Sequence, residues 1–345
     1  MNAVAAHAPA VRELRGVALD AIPYAALLAG QAPVVLRGVA AHWPLVAAAR
    51  ASDGAAIDYL ERFDSGQPVV GFTGAPEIGG RFHYNAELTG FNFAGARTGL
   101  TALLERIRAG LDAPAPESFY IGSTDLDRYL LGFRAENDLP LDDPMFAHGV
   151  LASIWIGNRT TAHAHHDMSH NLAICAAGKR RFTLFPPEQI ANLYPGPLEP
   201  TPGGQVLSMV DFADPDFTRH PRFRDAIASA QVAELEPGDL LFYPALWWHH
   251  VEALERFNVL VNYWWNEAPA FLDTPQTTLL HAMLSLRDRS DAEKAGWKAM
   301  FDYYVFGPAG EAAAHLPAHA QGPLAPIDET LARRLRAQLI NKLNR

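Results

Sequence analysis

From residue 150 to residue 265 the chain is a succession of short apolar runs cut by turn residues. They read "LASIWIGN", "AHAHHDM", "NLAICAAG", "RRFTLFPP", "LLFYPALWWHHV" and "FNVLVNYWW". Many short strands at this spacing predict a barrel or a double-sheet jelly roll. A Pro- and Gly-rich loop, "YPGPLEPTPGGQ" (194–205), interrupts the series, and long loops at a barrel mouth often touch substrate.

The flanks have other periods. "APVVLRGVAAHWPLVAAA" reads as a buried strand, a Gly turn and a short helix. "QPVVGFTG" and "GRFHYNAEL" read as strands bounded by Gly and Pro. "TALLERIRAG" reads as a helix capped by Thr101 and stopped by Gly110, and a Pro-broken connector then leads to the apolar stretch "SFYIGS". Beyond residue 275 the period is helical. Leu279, Leu280, Met283 and Leu286 form one stripe, Trp297, Met300, Phe301 and Tyr304 a second, and Leu331, Leu335 and Leu339 a third. A Pro-rich linker, "LPAHAQGPLAPID", precedes the last helix. The expected organisation is a catalytic domain over residues 1–270 with an N-terminal α/β elaboration, and a helical extension over 271–345. These last helices could cover a sheet edge or form a homodimer interface.

Composition excludes several classes. Nearly half of the 345 residues are apolar, so a sizeable core is expected. A net charge of −10 repels phosphate backbones, so nucleic acid is not an expected partner. One cysteine, Cys175, leaves no intrachain disulfide and no cysteine-based zinc site. The N-terminal stretch lacks a secretory pattern and no apolar run is long enough to span a bilayer, so no membrane association is expected and a cytoplasmic location is the default. Phosphate-loop, GxSxG and HExxH motifs are absent from the sequence.

The segment "TTAHAHHDMSHN" (160–171) concentrates histidines and an aspartate. On a strand His163, His165 and Asp167 share one face, and His166 and Met168 the other. Residues four apart are separated by about 13 Å and those two apart by about 7 Å, so only neighbours in the row can converge on one ion with bonds of about 2 Å. The pair is then His163 with His165, or His165 with Asp167. A third ligand comes from "WWHHV", where His249 has the parity of Val251 and His250 that of Glu252, which makes His249 the inward candidate. Two histidines and a carboxylate with open positions are the donor set of non-heme Fe(II) oxygenases, although zinc accepts the same ligands.

The motifs "PVVLRGVAAHWP", "FHYNAELTGFNF", "HHDMSHNLAICAAGKRRFTLFPP", "VDFADPDFTRHPRF", "PGDLLFYPALWWHHVEAL" and "LVNYWW" resemble those of JmjC-type, cupin-fold 2-oxoglutarate oxygenases. Within that family the sequence is most similar to the branch of the asparaginyl hydroxylase that inhibits hypoxia-inducible factor. The resemblance implies a double-stranded β-helix with flanking helices, mainly β, in which His165, Asp167 and His249 bind Fe(II). It implies that Tyr120, Asn171, Arg180 and Asn262 hold 2-oxoglutarate, with Arg180 where the family usually has lysine, and that Trp264 lies near substrate. Two departures stand out. Ala162 occupies a position where the family often has a co-substrate-binding threonine, with Thr161 adjacent but of opposite parity. Val206 and Leu207 are apolar where the asparaginyl hydroxylase grips its peptide with polar residues. The implied activity is hydroxylation of an aliphatic C–H, on a protein or peptide side chain by preference, yielding succinate and CO2. The alternatives are a small-molecule oxygenase, an inactive metal-dependent ligand-binding cupin, or a zinc hydrolase on the same barrel.

Overall fold

A computed structural model describes Val4 and residues 8–344. Residues 1–3 and 5–7 of the N-terminal stretch inspected for a secretory pattern lie outside the described residues. The chain divides into two compact units, Met1–Asn266 and Glu267–Arg345.

The first unit is built on two sheets. Its N-terminal half supplies β1 (Arg12–Leu14), β2 (Val34–Leu36), β3 (Val69–Gly74), β4 (Arg81–Phe82), β5 (Ala94–Thr98) and β6 (Ser118–Asp125). The repeated runs supply β7 (Leu151–Gly157), β8 (Thr161–His166), β9 (His170–Ala177), β10 (Arg180–Phe185), β11 (Gln231–Leu235), β12 (Leu240–Tyr243), β13 (Trp248–Ala253) and β14 (Asn258–Trp265). The larger sheet has the order β1-β2-β12-β9-β14-β7-β6-β3-β5, and the smaller β11-β10-β13-β8-β4. From β7 onward the chain passes back and forth between the two sheets, which is the winding of a jelly-roll double-stranded β-helix.

Side-chain alternation sends successive residues of the central strands into different cores. Along β9, Leu172, Ile174 and Ala176 enter one core, while Ala173 and Cys175 enter another. The first core is covered by helices at Pro44–Ala51, Asp53–Glu61 and Leu100–Gly110, which contribute Leu45, Ile57 and Leu104. The second lies between the sheets, where Ala173 and Leu241 of the larger meet Phe182, Leu184 and Val251 of the smaller. A third layer closes the outer face of the smaller sheet, where Phe185 and Trp248 pack with Phe212, Phe223 and Ala226. A strand buried on both faces reads as an unbroken apolar run, as "LAICAA" (172–177) does.

Three local expectations are corrected. "LLFYPALWWHHV" is two strands, β12 and β13, in different sheets, because the chain turns at Pro244–Trp247 with Leu246 at φ 67°. "GRFHYNAEL" is strand only at Arg81–Phe82; Asn85 Oδ1 accepts from the backbone N–H groups of Thr89 and Gly90, a local loop bond that competes with strand pairing. Gly99, not Thr101, caps the helix at Leu100–Gly110, and Thr101 donates through its amide and hydroxyl to Asp64.

The second unit consists of helices at Pro275–Leu286, Asp291–Tyr304 and Glu329–Leu343, with short turns in the Pro-rich segment between the last two. Ser290 and Glu293 form a capping box, and Asp328 accepts from the Leu331 amide at 2.7 Å. Among the described residues no helix is long and apolar enough to cross a membrane.

Gly178 turns β9 into β10 at φ +70°, and a Cβ there would lie 2.3 Å from Asn258 Oδ1 and 2.5 Å from Phe257 O. Gly178→Ala is expected to cost about 2 kcal/mol or more. Thermal denaturation checks this, with a melting temperature lowered by at least about 4 °C expected and an unchanged one counting against the packing described.

Candidate metal centre and its cavity

β8 and β13 run antiparallel, and their register sets His249 directly opposite His165. The two imidazoles lie with centroids 4.3 Å apart. Each is held the same way. His165 Nδ1 lies 2.8 Å from the carbonyl of His163, and His249 Nδ1 lies 3.0 Å from that of Trp247. A carbonyl can only accept, so each Nδ1 is the donor and each Nε2 is the nitrogen left to coordinate a metal. Asp167 follows the end of β8, where its carbonyl accepts from the Leu246 amide at 2.8 Å. Its Oδ2 lies 3.5 Å from His249 Nε2.

One donor atom from each of His165, Asp167 and His249 lies within 4.8 Å of the others. Small side-chain rotations bring all three to about 2 Å from a single ion. Burial holds the His249 imidazole well below its usual pKa, so it is neutral and has no proton to surrender to a metal. Burial pushes the Asp167 carboxyl up, opposed by the His165 and His166 imidazoles and by hydrogen bonds from Trp264 and Asn171.

The expected single face for His163, His165 and Asp167 is broken by a β-bulge. The register shifts so that His163 and Ala164 together oppose His250. His163 therefore packs against His83 (centroids 4.3 Å) and the edge of His250 (5.6 Å), leaving His165 with Asp167 as the converging pair. His250 is not turned to solvent as the parity of Glu252 suggested. It is 3 % exposed and stacks on Phe212 at 4.4 Å, because the segment around residues 206–230 covers that face.

The triad lies in a cavity of about 600 Å³. Arg180, on β10, lines it and is 3 % exposed. No carboxylate among the described residues pairs with Arg180; its Nη2 reaches the Trp155 carbonyl at 3.5 Å and its Nε has no partner. Tyr120 lines the same wall; burial raises its pKa, and the neighbouring Arg180 charge and hydrogen bond oppose the rise. Asn262 and Trp264, on β14, also line the cavity. Asn171 stands behind these two: its Oδ1 accepts from Asn262 Nδ2 at 3.1 Å and from Trp264 Nε1. Thr161 and Ala162 both reach the cavity, as do Pro202, Gly203 and Gln205 from the Pro-rich loop.

Sequence reasoning missed the ring-bearing side of this cavity: Phe72, Phe82, Phe93 and Trp155. Trp155 carried a signal, since it alternates with the core residues Ile154 and Ile156 and so faces the other way.

The sequence pattern of the Cupin-like domain family matches residues 21–271, more than two-thirds of the chain. Over 119 residues the chain is 36% identical to HSPB1-associated protein 1 of Homo sapiens, covering 34% of this chain and 24% of that protein. It is 32% identical over 101 residues to lysine-specific demethylase JMJ31 of Arabidopsis thaliana, covering 29% and 18%. It is 38% identical over 106 residues to tRNA wybutosine-synthesizing protein 5 of Danio rerio, covering 31% and 29%. The matched segment thus spans less than a third of each relative's length.

Replacing His165 or His249 by Ala is expected to weaken divalent-metal binding by at least about a hundredfold, read by calorimetry with Mn(II); binding within a few-fold of the unmodified protein would remove these side chains from the site. A pH effect follows from His250, whose pKa burial lowers from 6.5 to about 3. Between those values the unfolded chain takes a proton that the folded chain refuses, so stability is full above pH 6.5 and falls as pH drops. The melting temperature should therefore fall more between about pH 7 and about pH 5 in the unmodified protein than in His250→Phe. Parallel pH curves for the two proteins would contradict this.

Proposed function

Because the chain belongs to the Cupin-like domain family, we propose that it is an Fe(II)- and 2-oxoglutarate-dependent oxygenase that hydroxylates an aliphatic C–H. The preferred substrate is a protein or peptide side chain, in keeping with the likeness to the asparaginyl-hydroxylase branch. The observation that carries the reading is a buried, unpaired guanidinium in the cavity that holds three converging metal donors. A buried cation without a counter-charge costs several kcal/mol, and an anionic ligand removes that cost. A dicarboxylate fits: one end near the ion, the other on Arg180 and the Tyr120 hydroxyl.

The donor set also suits the metal. Two imidazole nitrogens and one carboxylate oxygen occupy three positions and leave the rest for co-substrate and oxygen. Fe(II), when bound, would activate O2, which takes two electrons from the 2-oxoglutarate that loses CO2 and two from the substrate C–H. One oxygen atom enters the substrate C–H to give an alcohol, the other enters succinate, and CO2 leaves.

The chain's own residues do the rest. The His163 and Trp247 carbonyls hold the imidazoles in one tautomer and orientation. Asn171 holds Asn262 and Trp264, which line the cavity on the β14 side. Phe182, Tyr243 and Leu260 form an apolar lining that excludes water around Arg180 and so strengthens its pull on a carboxylate.

The rest of the proposal concerns setting. The charge of −10 sets this chain apart from a nucleic-acid partner, and one buried thiol, Cys175, suits a reducing cytoplasm. We also propose a homodimer through the C-terminal helices. No residue of the helices at Pro275–Leu286 and Asp291–Tyr304 is buried, while Leu284 is 79% and Phe306 74% exposed. Apolar area of this kind marks an interaction surface.

Two measurements test the proposal. Arg180→Met should weaken 2-oxoglutarate binding by at least about thirtyfold and Tyr120→Phe by a smaller factor, with succinate release falling in step. Iron-dependent 2-oxoglutarate binding without succinate from any substrate would instead mark a ligand-binding cupin. Light scattering should give twice the chain mass, reverting to one chain in the Leu284→Glu, Phe306→Glu double variant; a monomer at the outset would dismiss the dimer.

A further inference from the structure

We infer that the outer part of the cavity receives an uncharged aromatic ring. The inference rests on the oxygenase reading, which engages Asp167 with the ion and Arg180 with the co-substrate. Once those two are committed, no lysine, arginine, aspartate or glutamate remains among the residues lining the cavity. His163 offers no polar handle either: both of its ring nitrogens are enclosed, beside His83 and His250. Arg97, paired across from Val70, is exposed and lies outside the lining. Ser123, Thr161, Ser169 and Gln205 offer a charged group neutral hydrogen bonds but no opposite charge, so its desolvation is only partly offset.

What the outer cavity offers is a run of rings. Phe93 meets Phe72 edge-on (centroids 5.5 Å, 87°) and Phe82 at 5.2 Å and 67°. Phe82 leads to Tyr120 at 5.8 Å, Tyr120 to Trp155 at 5.9 Å, and Trp155 to Trp264 at 5.7 Å and 79°. The wall therefore runs unbroken from the β3 edge to the residue that donates to Asn171.

Small residues keep its rings in place. A Cβ on Gly122 would press on the Trp155 ring at 3.1 Å, and one on Gly95 on the Phe72 ring at 3.2 Å. Edge-to-face and offset contacts of this geometry favour an aromatic guest over an aliphatic one of equal area. Its ring stands either on a peptide or in a free small molecule.

The test uses the full chain, anaerobic, with Fe(II) and saturating 2-oxoglutarate, and three ligands of one shape: benzamide, benzoate and benzamidinium. In equilibrium dialysis benzamide should bind at least about tenfold more tightly than either ion. Phe93→Ala should weaken benzamide at least about fivefold while 2-oxoglutarate binding is kept. Val70 is half-exposed, so Val70→Asp should leave the fold intact and raise benzamidinium binding to at least that of benzamide. Acetyl-Gly-Phe-Gly-amide in a fourth arm separates the sources: tighter binding than benzamide places the ring on a peptide, weaker binding in a free molecule.

Equal binding of all three ligands, preference for an ion, or no retention of benzamide overturns the inference. If 2-oxoglutarate is retained in those same samples, the oxygenase reading stands without it. If 2-oxoglutarate itself is not retained, it is the oxygenase reading that fails.

Discussion

The geometry of the site depends on one cross-strand pair, His165 opposite His249, with the Nδ1 of each held by the carbonyl two residues before it. The arrangement needs nothing beyond backbone in a sheet. It fixes ring direction and makes Nδ1 the donor in both, so each Nε2 is aimed at the ion before it arrives. Asp167 joins them because β8 has ended and the chain is bonded to the β12–β13 turn through the Leu246 amide. The jelly-roll winding makes β8 and β13 neighbours although they lie far apart in sequence, and it brings the Arg180 strand alongside β13.

The two faces of this strand pair are put to different uses. Inward lie the metal donors and, along the cavity, an unpaired arginine. Outward lies His250, stacked on Phe212, while His163 packs against His83 and His250 and also lines the cavity; burial keeps both neutral. The bulge opposite His250 separates the two sets; without it, His163 would share the His165 face. A cation and a set of metal donors in one cavity are what a site for a small dianion beside a metal requires.

Short strands and turn residues made a barrel or jelly roll legible, and donor chemistry narrowed the metal ligands to His165 with His163 or Asp167, plus His249; the family resemblance then implied the set His165, Asp167 and His249. Four things were not. A bulge leaves no mark in residue types, so the position of His163 did not follow from parity. The covering of His250 depends on Phe212 and Phe223, which are distant in sequence and join the strand only through tertiary packing. Asn171 matched a co-substrate position by motif, yet it stands behind Asn262 and Trp264 and holds them. The aromatic wall gathers Phe72, Phe82, Phe93 and Trp155 beside Tyr120 and Trp264 from separate strands, and only the fold brings these rings together.

The most direct measurement is anomalous diffraction from crystals grown without oxygen in Mn(II) and 2-oxoglutarate. The account requires one strong peak about 2 Å from His165 Nε2, His249 Nε2 and an Asp167 oxygen. It also requires density for the dicarboxylate, with its far end on the Arg180 guanidinium. An ion bound elsewhere, or a dicarboxylate that leaves Arg180 without a partner, would contradict it.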